Sequence, residues 1–200
     1  MCEHCRESIA AIEHANPGFR ANDLDQAEPL CRCQHVSVSE YSSGPVKDTE
    51  VLVRVLVAPQ HMTGKRQPRA AALTDAERNG LSLLREHEAT DEDIRKVAEG
   101  LVARARNHHG NKAGVFGVLR IHCGTVRNCV PECDDAPCYC VYDTALSELR
   151  PHTETFQRVA GVEDGIRELR RATLFSVLKT SFVSVGEFRG GLLLDLAPQQ

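Results

Sequence analysis

The sequence predicts an α+β protein: a mainly antiparallel sheet packed with two or three helices, with a small zinc-stapled unit at the N-terminus. Three observations carry this. In EVLVRVLVAP, residues 50–59, Val51, Val53, Val55 and Val57 alternate with Leu52, Arg54 and Leu56, a period of two with apolar residues on both faces. Residues 90–109 open on Thr90 with Asp93 three positions on and carry Ile94, Val97, Ala98, Leu101, Val102 and Ala105 at helical spacing. Finally, the nine cysteines fall into two clusters, one near the N-terminus and one between 123 and 140.

Taken in order, residues 1–45 read as a Cys-rich zinc-binding unit and its connector, and 46–200 as an α+β domain with a Cys-rich hairpin at 123–140. EHCRESIAAIEHA predicts a short helix with Ile9 and Ile12 on one face, stopped by NPG at 16–18. The Ser-, Gly- and Pro-bearing stretch 37–50 is a connector or weak edge strand. The strand at 50–59 belongs in the middle of a sheet, since a strand apolar on both sides must be covered on both. Residues around Gly80 read as a broken helix or turn. The helix from Thr90 has acids at its positive end, Arg104, Arg106 and two histidines at its negative end, and Gly110 as its stop. GVFGVLRIHC at 114–123 and CYCVYDTAL at 138–146 read as an antiparallel pair joined by a cysteine-bearing loop. A last helix is expected in VEDGIRELRRATLFSVLKT, burying Ile166, Leu169, Leu174, Val177 and Leu178. Two short strands, SFVSV and GGLLLDL, close the chain.

Composition narrows the functional classes. Hydrophobic residues at 42% and charged residues at 26% are ordinary globular values, and no run approaches the roughly 20 apolar residues of a spanning helix. No membrane partner is expected. The N-terminus lacks the basic and apolar regions of a secretory signal, which predicts a cytoplasmic protein. An excess of Arg over Lys, 19 to 5, together with abundant Ala suits a high-GC bacterial genome. A net charge of -4, three Tyr and no Trp leave nucleic-acid binding unsupported, though not excluded.

In a reducing compartment, clustered cysteines read as metal ligands rather than disulfides. Cys2 and Cys5 form C-x2-C, while Cys31 and Cys33 form C-x-C. Together they make two pincers able to hold one tetrahedral zinc ion, with His35 as an alternative to Cys33. A segment this short and polar needs such a staple to fold. In the second cluster Cys123, Cys129, Cys133 and Cys138 are the preferred ligands of a second structural zinc at the mouth of the hairpin, leaving Cys140 for packing or reactivity. One or two structural zinc ions are therefore expected. An iron-sulfur cluster fits the spacing poorly.

YDTALSELRPHTETF places Asp143, Arg150, His152 and Glu154 on a strand exit and loop, as candidates for acid-base work and anion binding. Arg104 and His109 have an R-x4-H spacing similar to that of HEPN-class nucleases. Those enzymes are all-helical, and basic residues at a helix C-terminus follow from the dipole alone. Phosphate-loop, dinucleotide, nucleophile-elbow and zinc-protease motifs are missing. Two functions remain: a zinc-stabilised binding or assembly component with a protein partner and a possible homo-oligomer, or an enzyme acting on a phosphate-bearing small molecule or nucleotide in a pocket near His152.

Overall fold

A computed structural model describes residues 7, 9, 20–30 and 32–198. The expected strand at 50–59 is present as β1, Val51–Ala58, and it is interior, as its two apolar faces require. Around it form β2, Leu81–Arg85; β3, Gly114–His122; β4, Tyr139–Tyr142; β5, His152–Gln157; and β6, Phe182–Ser184. All pair antiparallel in the order β4-β5-β2-β1-β3-β6.

Each face of β1 has its own cover. Val53, Val55 and Val57 pack against Ile94, Ala98, Val102 and Ala105 of α2, Asp91–His109. The predicted N-terminus of this helix holds. Thr90 Oγ1 accepts from Asp93 N at 3.1 Å and Asp93 Oδ2 accepts from Thr90 N at 2.9 Å, an arrangement that satisfies two otherwise unpaired donors. Burial of Ile94 and Val102 stabilises the layer by about 2 kcal/mol each. On the opposite face Leu52, Leu56 and Ala58 meet Leu73 and Ala76 of a 3-10 helix, Ala70–Glu77, and Leu174 and Leu178 of α4, Asp164–Leu178.

Two strands escaped the sequence. β2 lies in LSLLR, where Leu81, Leu83 and Leu84 resemble one helical turn as much as a strand. β5 lies in HTETFQ, whose six residues are all buried although five are polar, so hydropathy marks it as loop. Conversely, GGLLLDL is no strand. Gly190 and Gly191 take positive φ, and Leu194–Leu196 form a short 3-10 helix that turns Leu193 into the core. In α4 the buried line is Arg170, Leu174 and Leu178, whereas the expected core residues Leu169 and Val177 are 46% and 52% exposed.

The expected hairpin between 114–123 and 138–146 is also corrected. Both edges of β3 are taken, by β1 and β6, while β4 sits at the far edge of the sheet, paired only with β5. Three strands separate them. The link runs instead through α3, Cys123–Arg127, which crosses beneath the sheet and buries Cys123 and Val126.

Of the region 1–45, α1 (Arg20–Ala27) and the 3-10 helix Arg32–His35 pack directly on the sheet. Ala21, Leu24, Cys33 and Val38 share an apolar cluster with Cys140, Tyr142 and Phe156. Residues 37–50 form turns rather than an edge strand.

Gly80, at the turn into β2, has φ +92°, and a Cβ there would lie 2.6 Å from the Phe156 ring and 3.1 Å from Glu154 Oε1. Gly80→Ala is expected to cost at least about 1–2 kcal/mol from backbone conformation alone, read as a lowered urea midpoint. A second prediction concerns His61, which is 3% exposed and accepts the Val57 N–H through Nδ1 at 3.1 Å. Burial, with the positive Arg54 and Arg69 nearby, lowers its pKa from 6.5 to about 3. The unfolded chain therefore takes up a proton near 6.5 that the folded chain refuses until about 3. Stability should fall through that window as pH drops, by up to about 1.4 kcal/mol per pH unit. Urea unfolding across it should show a shallower slope for His61→Gln than for the natural chain; equal slopes would disprove the assignment.

Candidate active site

The face of the sheet covered by α2 at one end and by α1 at the other is apolar under each helix and polar between them. Strand alternation places Ser82 of β2 and His152 and Glu154 of β5 on this face, Ser82 being directly opposite Glu154 in the ladder. His152 is 8% exposed and Ser82 half-buried. The Ser82 Oγ lies 2.8 Å from His152 Nε2. On the other side of the ring, His152 Nδ1 lies 3.1 Å from the Thr144 carbonyl oxygen and 3.0 Å from Thr144 Oγ1.

The carbonyl fixes the tautomer. An oxygen that only accepts, at this distance from Nδ1, requires Nδ1 to carry the proton, which leaves Nε2 as an acceptor for the Ser82 hydroxyl. Both ring nitrogens are thereby committed. Thr144 holds the ring in place, with Nε2 turned to the Ser82 hydroxyl.

Beside the pair runs a cleft of about 630 Å³, lined by His152, Glu154, Thr144 and Arg20, with Val38, Tyr41 and Leu146 as apolar wall. Arg20 of α1 grips Glu154 with two hydrogen bonds, Nη1 to Oε1 at 3.0 Å and Nη2 to Oε2 at 3.1 Å, and its guanidinium lies over the Phe156 ring. Among the described residues its buried Nε has no partner.

Of the four expected site residues, the fold brings His152 and Glu154 to the cleft. Asp143, at the end of β4, is directed to the connector, where its Oδ2 accepts from Ser37 at 2.8 Å and from Ser42. Burial raises its pKa, opposed by those hydroxyls. Arg150 is exposed on the preceding turn and does not line the cleft. Ser82, Thr144 and Arg20 escaped the sequence: a serine between leucines carries no motif, and its histidine is 70 residues away.

A larger cleft, about 1100 Å³, opens beside the start of β1 and the end of β2, with His35 and His87 on its walls. Its two arginines are engaged with neighbouring groups. Arg85 holds Glu50 at 2.7 and 2.8 Å, and Arg127 donates to Asp48 and to the carbonyls of Val46, Gln34 and Val141.

The cysteines differ from expectation. Cys2, Cys5 and Cys31 lie outside the described residues. Cys33 and Cys140 each take part in a disulfide, so neither sulfur is the free thiolate a zinc ligand requires. Both sit in the apolar cluster under α1, shielded from solvent. Cys123 is buried in the main core, and burial pushes its thiol up to about 12, so it stays protonated. Cys133 is exposed beside Asp134, while Cys129 and Cys138 lie together. Among the described residues no three His, Cys, Asp or Glu side chains gather to hold a metal, because the predicted hairpin that would converge the sulfurs does not form.

No known family, curated protein or solved structure matches the chain. Among the described residues, no helix is long and apolar enough to cross a membrane.

Arg20 and Glu154 are only 12% and 9% exposed, so removing one strands the other in a poorly solvated place. Arg20→Ala and Glu154→Gln are each expected to cost about 3 kcal/mol. The double variant should lose less than the sum, as read from urea midpoints in a double-mutant cycle.

Proposed function

We propose that the chain is a serine hydrolase acting on carboxylic esters with an apolar substituent, with Ser82 as nucleophile and His152 as general base. The observation that carries the reading is the relay from Ser82 Oγ through His152 to the Thr144 carbonyl. A serine hydroxyl is a weak nucleophile until a neighbouring base takes its proton as the bond forms, and a base works best when a third group fixes its orientation.

In the acylation step Ser82 Oγ attacks the ester carbonyl carbon while its proton passes to His152 Nε2. The imidazolium then protonates the departing alkoxide, and a water repeats the sequence to release the acid. A carbonyl supports the imidazolium less strongly than a carboxylate would, which favours esters over the harder amide bond. The walls formed by Val38, Tyr41 and Leu146 suit an acyl chain.

Charge argues against the phosphate-bearing substrate expected from the sequence. Arg20 is matched by Glu154, while Glu40 and Glu148 add negative charge to the cleft, so a neutral or cationic ester is favoured over an anion. The binding or assembly role rested on metal-shaped surfaces. With Cys33 in a disulfide and Cys123 inside the core, that role has less support than the Ser–His pair.

Hydrolysis of p-nitrophenyl esters, with covalent labelling by a fluorophosphonate, tests the reading. The natural chain should turn over a butyrate or octanoate ester and take up one label at Ser82. Ser82→Ala and His152→Gln should each lose at least about 100-fold in kcat/KM with unchanged far-UV circular dichroism, and Thr144→Val, which keeps the carbonyl, should stay within a few-fold. Equal rates for Ser82→Ala and the natural chain, or neither turnover nor labelling in the natural chain, would overturn the proposal.

A further inference from the structure

Away from the Ser–His pair, two neighbouring cysteines lie on the opposite face of the sheet. Cys129 follows α3 and Cys138 precedes β4, and the chain between them leaves and returns at one point. Cys138 N donates to the Cys129 carbonyl at 3.3 Å, and Cys138 Sγ lies 3.7 Å from the same oxygen. Both are free cysteines, Cys129 8% and Cys138 2% exposed. The backbone bond makes the two residues direct neighbours, the proximity required by a disulfide, whose Cα atoms lie about 4.4–6.8 Å apart. The two free thiols therefore sit on neighbouring residues joined by a backbone hydrogen bond.

The surroundings favour exchange with a small molecule. Cys138 lines a cleft of about 200 Å³ whose other walls carry both signs of charge, Arg158 and Arg170 beside Asp25, Asp134 and Asp135. Arg170 holds Asp134 through two hydrogen bonds, fixing the loop between the cysteines against α4. A disulfide bearing carboxylate and ammonium groups, as glutathione disulfide does, matches such walls.

We infer that Cys129 and Cys138 form a redox-active dithiol that exchanges with low-molecular-weight disulfides. One thiolate of the pair attacks a sulfur of the small disulfide, breaking its S–S bond and releasing one thiolate, which takes up the proton the cysteine lost. The second cysteine, as thiolate, attacks the protein sulfur of the mixed disulfide and releases the second small thiol. The protein thus gives up two electrons and two protons, and one small disulfide becomes two thiols. Cys123, buried and protonated, takes no part.

The test equilibrates the full-length chain in glutathione buffers of increasing oxidised fraction, quenches in acid, blocks free thiols with N-ethylmaleimide after unfolding, and maps the peptides by mass spectrometry. A Cys129–Cys138 linkage is expected to form as the oxidised fraction rises and to reverse when reduced glutathione is restored. Of the variants Cys129→Ser and Cys138→Ser, at least one should retain a single glutathione on the remaining cysteine of the pair. Both cysteines carrying maleimide at every ratio, or a linkage that forms only when the chain is oxidised in urea, would overturn the inference. If the serine variants do not fold, the linkage in the natural chain decides.

Discussion

Everything in this fold follows from β1 being apolar on both faces. A strand flanked on both edges and covered on both sides needs two separate layers. α2 supplies one against Val53, Val55 and Val57; the 3-10 helix and α4 supply the other against Leu52, Leu56 and Ala58. A helix is only about 10 Å wide, so α2 covers the middle of a six-stranded sheet and leaves β4 and β5 bare. α1 covers these instead, through Ala21 and Leu24.

The candidate site is a consequence of that divided cover. Between the two helices the sheet presents side chains that neither helix buries in an apolar cluster, and there Ser82, His152 and Glu154 satisfy one another and Arg20. The pairing of Arg20 with Glu154 serves two ends. It ties α1 to β5, and it removes from the cleft the positive charge that would have favoured an anionic substrate. The dithiol lies on the other side of the sheet, so its oxidation and the ester chemistry proposed for Ser82 involve separate groups.

How legible each element was depended on where its stabilisation originates. α2 was readable from Thr90 to Gly110 because its cap, charge bias and apolar spacing are local to the chain. β5 was not, because HTETFQ is buried through partners the sequence does not indicate: Thr144 and Ser82 for His152, Arg20 for Glu154, and Tyr139 for Gln157. Cysteine spacing misled for a related reason. It assumed that the strands flanking 123–138 were neighbours, and β3 instead found its partners in β1 and β6.

The sequence by itself determined the α+β class, the central strand and the capped helix, since each is written in residues within one or two turns of chain. Only the tertiary structure decided which strands are adjacent, and therefore that His152 meets a serine 70 residues earlier and that Cys129 meets Cys138 rather than a cluster of four sulfurs. Strand order is set by competition among edges for hydrogen bonds and among faces for cover, and that competition involves the whole chain at once.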